Sequence, residues 1–217
     1  MPRCLVFDLD GTLVDSVPDL AAAVNRVLLA RGLAPLAVPE IAAMVGDGVR
    51  TLIERAFAAR GAAPDEAAHA AYAADYGAHY AVATVPYPGA ATTLRAFAAA
   101  GWRMAVCTNK PQAVARDVLA ANGLAGFFAA IGGGDSFPVK KPDPAHLLAT
   151  IAAAGAEPTH AIMVGDHRND ILAATGAGLP GVFAAWGYGP ITMAQGAAAV
   201  ARNLAELPGI AEGLLAG

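Results

Sequence analysis

The sequence predicts an α/β protein in which a doubly wound parallel sheet is interrupted once by an inserted all-helical unit. Three observations carry that expectation. Five short apolar runs, at 3–8, 103–108, 127–132, 161–165 and 181–185, read as strands. The last four are separated by helical patterns at 111–122, 143–154 and 169–176. Strands alternating with helices of this length argue for right-handed crossovers and a parallel sheet covered on both faces. The third observation is the stretch from Ser16 to Pro86, which carries no strand signal and alone breaks the alternation.

That stretch reads as four helices, at 17–31, 38–45, 49–60 and 64–82. Pro18 suits a first helical turn after Ser16, and Gly32 suits a C-terminal stop. Ser16 and Pro86-Tyr87-Pro88-Gly89 flank the unit like two hinges. The expected organisation is therefore a core of residues 1–15 and 87–217, with residues 16–86 forming a helical cap over the strand ends. The plainer alternative packs the same helices directly on the sheet.

Composition narrows the partners. A hydrophobic fraction of 56% and a mean hydropathy of +0.48 look membrane-like, but alanine inflates both. The longest uncharged stretch, 171–201, is broken by Gly176, Gly178, Pro180, Gly181, Gly187, Gly189 and Pro190. It does not supply the span of about 20 continuous apolar residues that a bilayer needs. Nor does a charged-then-apolar leader precede the first strand, so a cytoplasmic protein without membrane contact is expected. The net charge of -4 offers no basic stripe for nucleic acid. Oligomeric state has no signature here. Cys4 and Cys107 both fall in strand runs without metal-ligand spacing, and read as reduced core residues.

The first strand ends in Asp8-Leu9-Asp10-Gly11-Thr12. Strand side chains alternate, so Asp8 and Asp10 face the same way where the strand gives way to a turn. Two adjacent anions repel unless a cation or a shared proton holds them. Taken alone, the pair also reads as an ordinary capped strand end. Polar punctuation recurs, however, at three of the four other strand runs: Thr108-Asn109-Lys110, Gly132-Gly133-Gly134-Asp135 and Gly165-Asp166. An open parallel sheet presents its reactive groups at those strand ends.

Asp8-Leu9-Asp10-Gly11-Thr12, Thr108-Asn109, Lys141-Pro142-Asp143-Pro144 and Gly165-Asp166-His167-Arg168-Asn169-Asp170 resemble in order and spacing the four motifs of the haloacid dehalogenase superfamily of phosphotransferases. The insert is similar to that superfamily's C1-type helical cap. Within it, the chain is most similar to phosphoglycolate phosphatases, at Val45-Gly46-Asp47-Gly48, Thr108-Asn109-Lys110-Pro111, Gly133-Gly134-Asp135 and Lys140-Lys141-Pro142. The resemblance implies a Rossmann-like core and Mg²⁺-dependent hydrolysis of a small phosphate ester through an aspartyl-phosphate.

It further implies roles. Asp8 is the expected nucleophile and Asp10 the general acid and base. Asp8, the Asp10 main-chain carbonyl and Asp166 are the expected metal ligands, with Asp170 orienting metal waters or Lys141. The Thr108 hydroxyl and the Asn109 N–H are expected on the phosphoryl oxygens. Lys141, directly before the proline, is preferred to Lys140 as the working cation. Lys110 reads as a rim charge, His167 as an inert rim residue or a group that touches substrate, and Arg168 and Asn169 as caps of the following helix. His69, His79, His146 and His160 read as surface or helix residues.

In the insert, Gly48 and Arg50 at a helix start are the candidates for recognising the leaving group. Backbone N–H groups there bind anions, and Arg50 is suited to a small carboxylate such as that of 2-phosphoglycolate. The competing reading is a plain interhelical turn with a solvated arginine. Rival activities on the same motifs are a phosphatase for a sugar phosphate, a nucleotide or pyrophosphate, and a phosphomutase resembling β-phosphoglucomutase. A phosphonatase needs a cap lysine, and 16–86 contains none.

Overall fold

The computed structural model describes residues 2–215. In chain order the elements are β1 (Cys4–Phe7), β2 (Val14–Asp15), α1 (Val17–Ala30), α2 (Val38–Ala42), α3 (Val49–Ala58), α4 (Glu66–His79), β3 (Val85–Pro86), α5 (Ala90–Ala99), β4 (Arg103–Cys107), α6 (Gln112–Ala121), β5 (Ala130–Gly132), α7 (Pro144–Ala153), β6 (Ala161–Gly165), α8 (Arg168–Gly176), β7 (Gly181–Ala184), β8 (Ala199–Ala201) and α9 (Leu207–Leu215).

Six strands form one parallel sheet in the order β5-β4-β1-β6-β7-β8. Side-chain alternation along β1 divides the core. Leu5 and Phe7 point to one face, where Leu94 and Phe97 of α5, Val118 and Leu119 of α6 and Leu207 of α9 cover them. Cys4 and Val6 point to the other, under Leu147 and Ile151 of α7 and Ala173 and Ala174 of α8. Each fully buried leucine or phenylalanine contributes roughly 1.5–3 kcal/mol relative to exposure. Both cysteines are free and buried, and burial raises their thiols to about 11 for Cys4 and about 12 for Cys107. They are core residues, as expected.

Helices α1–α4 lie between β2 and β3 and bury a cluster of their own, including Leu20, Val24 and Leu28 of α1, Ile53 and Phe57 of α3 and Tyr72 and Tyr76 of α4. Val114 and Tyr188 of the sheet-bearing part pack against that cluster. The chain leaves and re-enters through a two-stranded antiparallel ribbon, with Val14 opposite Pro86 and Asp15 opposite Val85. Buried Asp19 of α1 closes the return, accepting from the N–H groups of Ala83 and Thr84 and from the Thr84 hydroxyl.

Several elements differ from expectation. The strand expected at 127–132 contracts to β5, because Ala125–Phe127 forms a 3₁₀ turn. Helix α2 stops at Ala42 and α4 at His79. Strand β8 extends the sheet, and α5 and α9 cover it, without having been expected. No helix of the described residues is long and apolar enough to cross a membrane.

Candidate active site

Strand β1 lies between β4 and β6, so three chain segments reach the same sheet edge. Asp8 follows Phe7, Thr108 follows Cys107 and Asp166 follows Gly165. The succession of strands reverses around β1, and such switch points form crevices at strand ends. All three residues are buried.

Asp8 Oδ1 accepts from the Leu9 N–H at 2.7 Å and lies 3.0 Å from Lys141 Nζ. Asp8 Oδ2 has no hydrogen-bond partner among the described residues. Lys141 in turn donates to Asp170 Oδ1 at 2.5 Å. Burial opposes a charge on Lys141, but Asp170 and Asp8 outweigh it and hold the ammonium protonated. Asp166 accepts from the Thr12 hydroxyl at 3.0 Å and from the Tyr188 N–H at 2.8 Å. Gly11, at φ +82°, makes the turn that brings Asp10 and Thr12 round; a Cβ there would stand 2.3 Å from Asp166 Oδ2.

Asp8, Asp166 and Asp170 each present a carboxylate oxygen within 4.8 Å of the others. Three buried carboxylates share one ammonium, so the cluster carries excess negative charge. Burial, reinforced by the charges of Asp8 and Asp170, pushes Asp166 up to about 8. A hard divalent cation with oxygen preference suits this donor set and relieves that repulsion.

Asp10 turns aside from the cluster. Its Oδ1 accepts from the Ser16 hydroxyl at 2.5 Å, and Lys110 Nζ donates to both of its oxygens at 2.9 Å. Lys110 is therefore not a rim charge. It is 5% exposed, and its ammonium lies 4.6 Å from the centroid of the Tyr76 ring. Lysine burial of this kind needs a paired anion, which Asp10 supplies.

His146, read as a surface or helix residue, lies on helix α7 but is fully buried, with Nδ1 accepting from the Lys141 N–H at 3.1 Å and Nε2 donating to Gly133 O at 3.0 Å. Burial and the Lys141 charge push it down to about 4, so it is neutral. His167, expected at the rim, is the N-cap of α8 and packs against Gly46, where a Cβ would meet its ring at 2.5 Å. Asn169 does not cap that helix; it donates to Asp47 Oδ1 at 2.7 Å.

Asn109 donates from Nδ2 to Gly46 O at 2.9 Å and to Lys141 O at 3.0 Å, while its buried Oδ1 has no partner among the described residues. Lys140 donates to Asp47 O at 2.6 Å, so of the two adjacent lysines only Lys141 reaches Asp8. These contacts seat the Gly46–Gly48 loop on the strand ends. Two cavities result. One of about 40 Å³ is lined by Asp8, Asp10, Thr108, Asn109 and Lys110 below and by Val45, Gly48 and Leu52 above. The other, about 400 Å³, borders Asp8, Asp10, Asp166, His167 and Tyr188.

Gly48 lines the smaller cavity, but Arg50 lines neither. Its side chain is 61% exposed and bound to Glu66 and Glu54, because α3 directs it outward toward α4. The solvated-arginine reading is the one the structure bears out. Tyr188 escaped sequence reasoning: besides holding Asp166, its hydroxyl donates to Asp15 at 2.9 Å and accepts from the Ser16 N–H at 2.8 Å. No local pattern marked it.

A buried carboxylate at the end of the central strand, backed by a lysine and clustered with two further acidic groups, is the candidate reactive centre. The chain belongs to the haloacid dehalogenase-like hydrolases, whose family model matches residues 2–178. It is 48% identical over 179 residues to a phosphoglycolate phosphatase of Cereibacter sphaeroides, covering 81% of each chain. A phosphoglycolate phosphatase of Rhodospirillum rubrum is 43% identical over 216 residues, covering 95% of this chain and 90% of that one. Among solved structures, a predicted phosphoglycolate phosphatase from Haemophilus somnus 129pt superposes with a TM-score of 0.88 at 32% identity, covering 96% and 97% of the two chains.

Proposed function

We propose that the protein is a Mg²⁺-dependent phosphomonoester hydrolase acting on 2-phosphoglycolate through an aspartyl-phosphate. The observation that carries the reading is the state of Asp8: one oxygen is fixed by the Leu9 N–H and Lys141, the other has no hydrogen-bond partner among the described residues, and the carboxylate clusters with those of Asp166 and Asp170. The relatives named above support the choice of substrate.

Phosphomonoester hydrolysis is slow in water, and two displacements through a covalent intermediate ease it. Asp8 Oδ2 attacks phosphorus, its orientation held by the Leu9 N–H and Lys141. Asp10 gives a proton to the departing alkoxide and later takes one from the water that releases phosphate. The Thr108 hydroxyl and the Asn109 N–H offer donors to the phosphoryl oxygens, and Lys141 offsets their spread charge. Asp8, Asp166 and the Asp10 carbonyl would hold Mg²⁺, with Asp170 acting through Lys141. When bound, the ion supplies charge neutralisation of the carboxylates and of the transferring group. The Gly46–Gly48 loop lies over the site, held by Asn109 and Lys140.

Phosphate release from 2-phosphoglycolate by the purified protein, with and without Mg²⁺, tests the reading. Asp8→Asn should lower kcat by several orders of magnitude, about 10⁴-fold or more. Substantial turnover by that variant, or by metal-free enzyme, would refute the scheme.

A further inference from the structure

The smaller cavity poses a question that the loss of Arg50 sharpens: which group meets the carboxylate of the leaving group? The cavity, about 40 Å³, is also lined by Asp8, Thr108 and Asn109, so a leaving group held there beside the phosphoryl group is small. One positive side chain lines it, that of Lys110. Lys141 is spent on Asp8 and Asp170, and Lys140 on the Asp47 carbonyl. We infer that Lys110 is the specificity residue that reads the leaving-group carboxylate. The inference rests on the phosphoglycolate reading and deepens it.

Substrate connectivity supports this. In 2-phosphoglycolate one methylene separates the ester oxygen from the carboxylate carbon, so the protein groups serving the two must be neighbours. Asp10 serves the ester oxygen, and Lys110 Nζ touches Asp10 at 2.9 Å. Charge points the same way. A substrate carboxylate beside Asp10 meets repulsion unless a cation lies between them. Lys110 is the cation that pairs with Asp10 and lines the same cavity. The Tyr76 ring, stacked on Tyr72, walls its ammonium on the cap side and keeps its stem from swinging to solvent. Ammonium donors can be shared between two carboxylates, since each has three N–H groups.

The test compares wild type with Lys110→Met and Lys110→Gln on 2-phosphoglycolate and on ethyl phosphate, which lacks the carboxylate. Binding of 3-phosphonopropanoate and of propylphosphonate is measured on the same proteins by calorimetry, free of turnover. Wild type should prefer 2-phosphoglycolate, and both variants should lose about 100-fold in kcat/KM on it, carried by KM, against about tenfold or less on ethyl phosphate. Binding of 3-phosphonopropanoate should weaken by a similar factor, while propylphosphonate binding stays within about threefold. If wild type shows no preference for the carboxylate, the substrate reading itself fails and takes this inference with it. If wild type shows the preference and both variants keep it, Lys110 alone is overturned. Equal losses on both esters, with the phosphonate discrimination intact, also overturn it, reducing Lys110 to a support for Asp10.

Discussion

The Lys141 ammonium lies 2.5 Å from Asp170 Oδ1 and 3.0 Å from Asp8 Oδ1, so one buried cation joins the expected nucleophile to a carboxylate on α8. Asp170 Oδ2 is itself fixed by the His167 N–H at 3.0 Å. Asp170→Asn keeps the shape but removes the charge that anchors Lys141. It should lower kcat about 10- to 100-fold while leaving the Mg²⁺ activation constant within a few-fold. Steady-state titration with Mg²⁺ separates the two effects; a large loss of metal affinity would make Asp170 a ligand instead.

Arg50 gives the opposite expectation. Among the described residues its guanidinium pairs with Glu66 and Glu54 on the surface, where ion pairs have small effects. Arg50→Ala should leave KM for 2-phosphoglycolate within about twofold of wild type. A KM rise confined to that substrate would return Arg50 to the site.

His146 joins two loops through its ring, accepting from Lys141 and donating to Gly133. His146→Leu strands both backbone groups, at a cost of about 1–3 kcal/mol for each. Thermal melting should show the loss, and kcat should fall through displacement of Lys141. His146→Gln, which can still donate and accept, should recover part of both. A kcat unchanged in the leucine variant would confine His146 to a structural role.

Metal-free protein should lose stability as pH rises. Asp166 titrates at about 8 when folded, raised by burial and by Asp8 and Asp170, against an ordinary value of 3.8. Between those values the folded state binds a proton that the unfolded chain has released, so the stability it confers is present below the lower value and lost toward the upper. Mg²⁺ favours the ionised carboxylate, and its stabilisation should grow across the same window. Melting curves with chelator and with Mg²⁺, at about pH 5 and about pH 8, measure this. A Mg²⁺ shift equal at both would contradict it.

What the sequence made legible follows from locality. Asp8, Asp10, Thr108 and Asp166 sit at strand ends, and a strand end is visible from its own few residues. Lys141 was placed by the proline that follows it. Lys110 was misread, and the burial of helical His146 went unseen, because burial of a polar side chain depends on partners far along the chain: Asp10 lies 100 residues from Lys110. Arg50 was misread for a related reason, since its fate turned on where α3 faces. Strand β8 has three residues, two of them alanine, and too little pattern to announce itself.

The central claim is that Asp8 is the phosphoryl acceptor. Acid quenching during turnover of radiolabelled 2-phosphoglycolate, followed by peptide mapping, tests it most directly. The account predicts label on the peptide that contains Asp8 and its absence in Asp8→Asn. Phosphate released at full rate with that peptide unlabelled would contradict it.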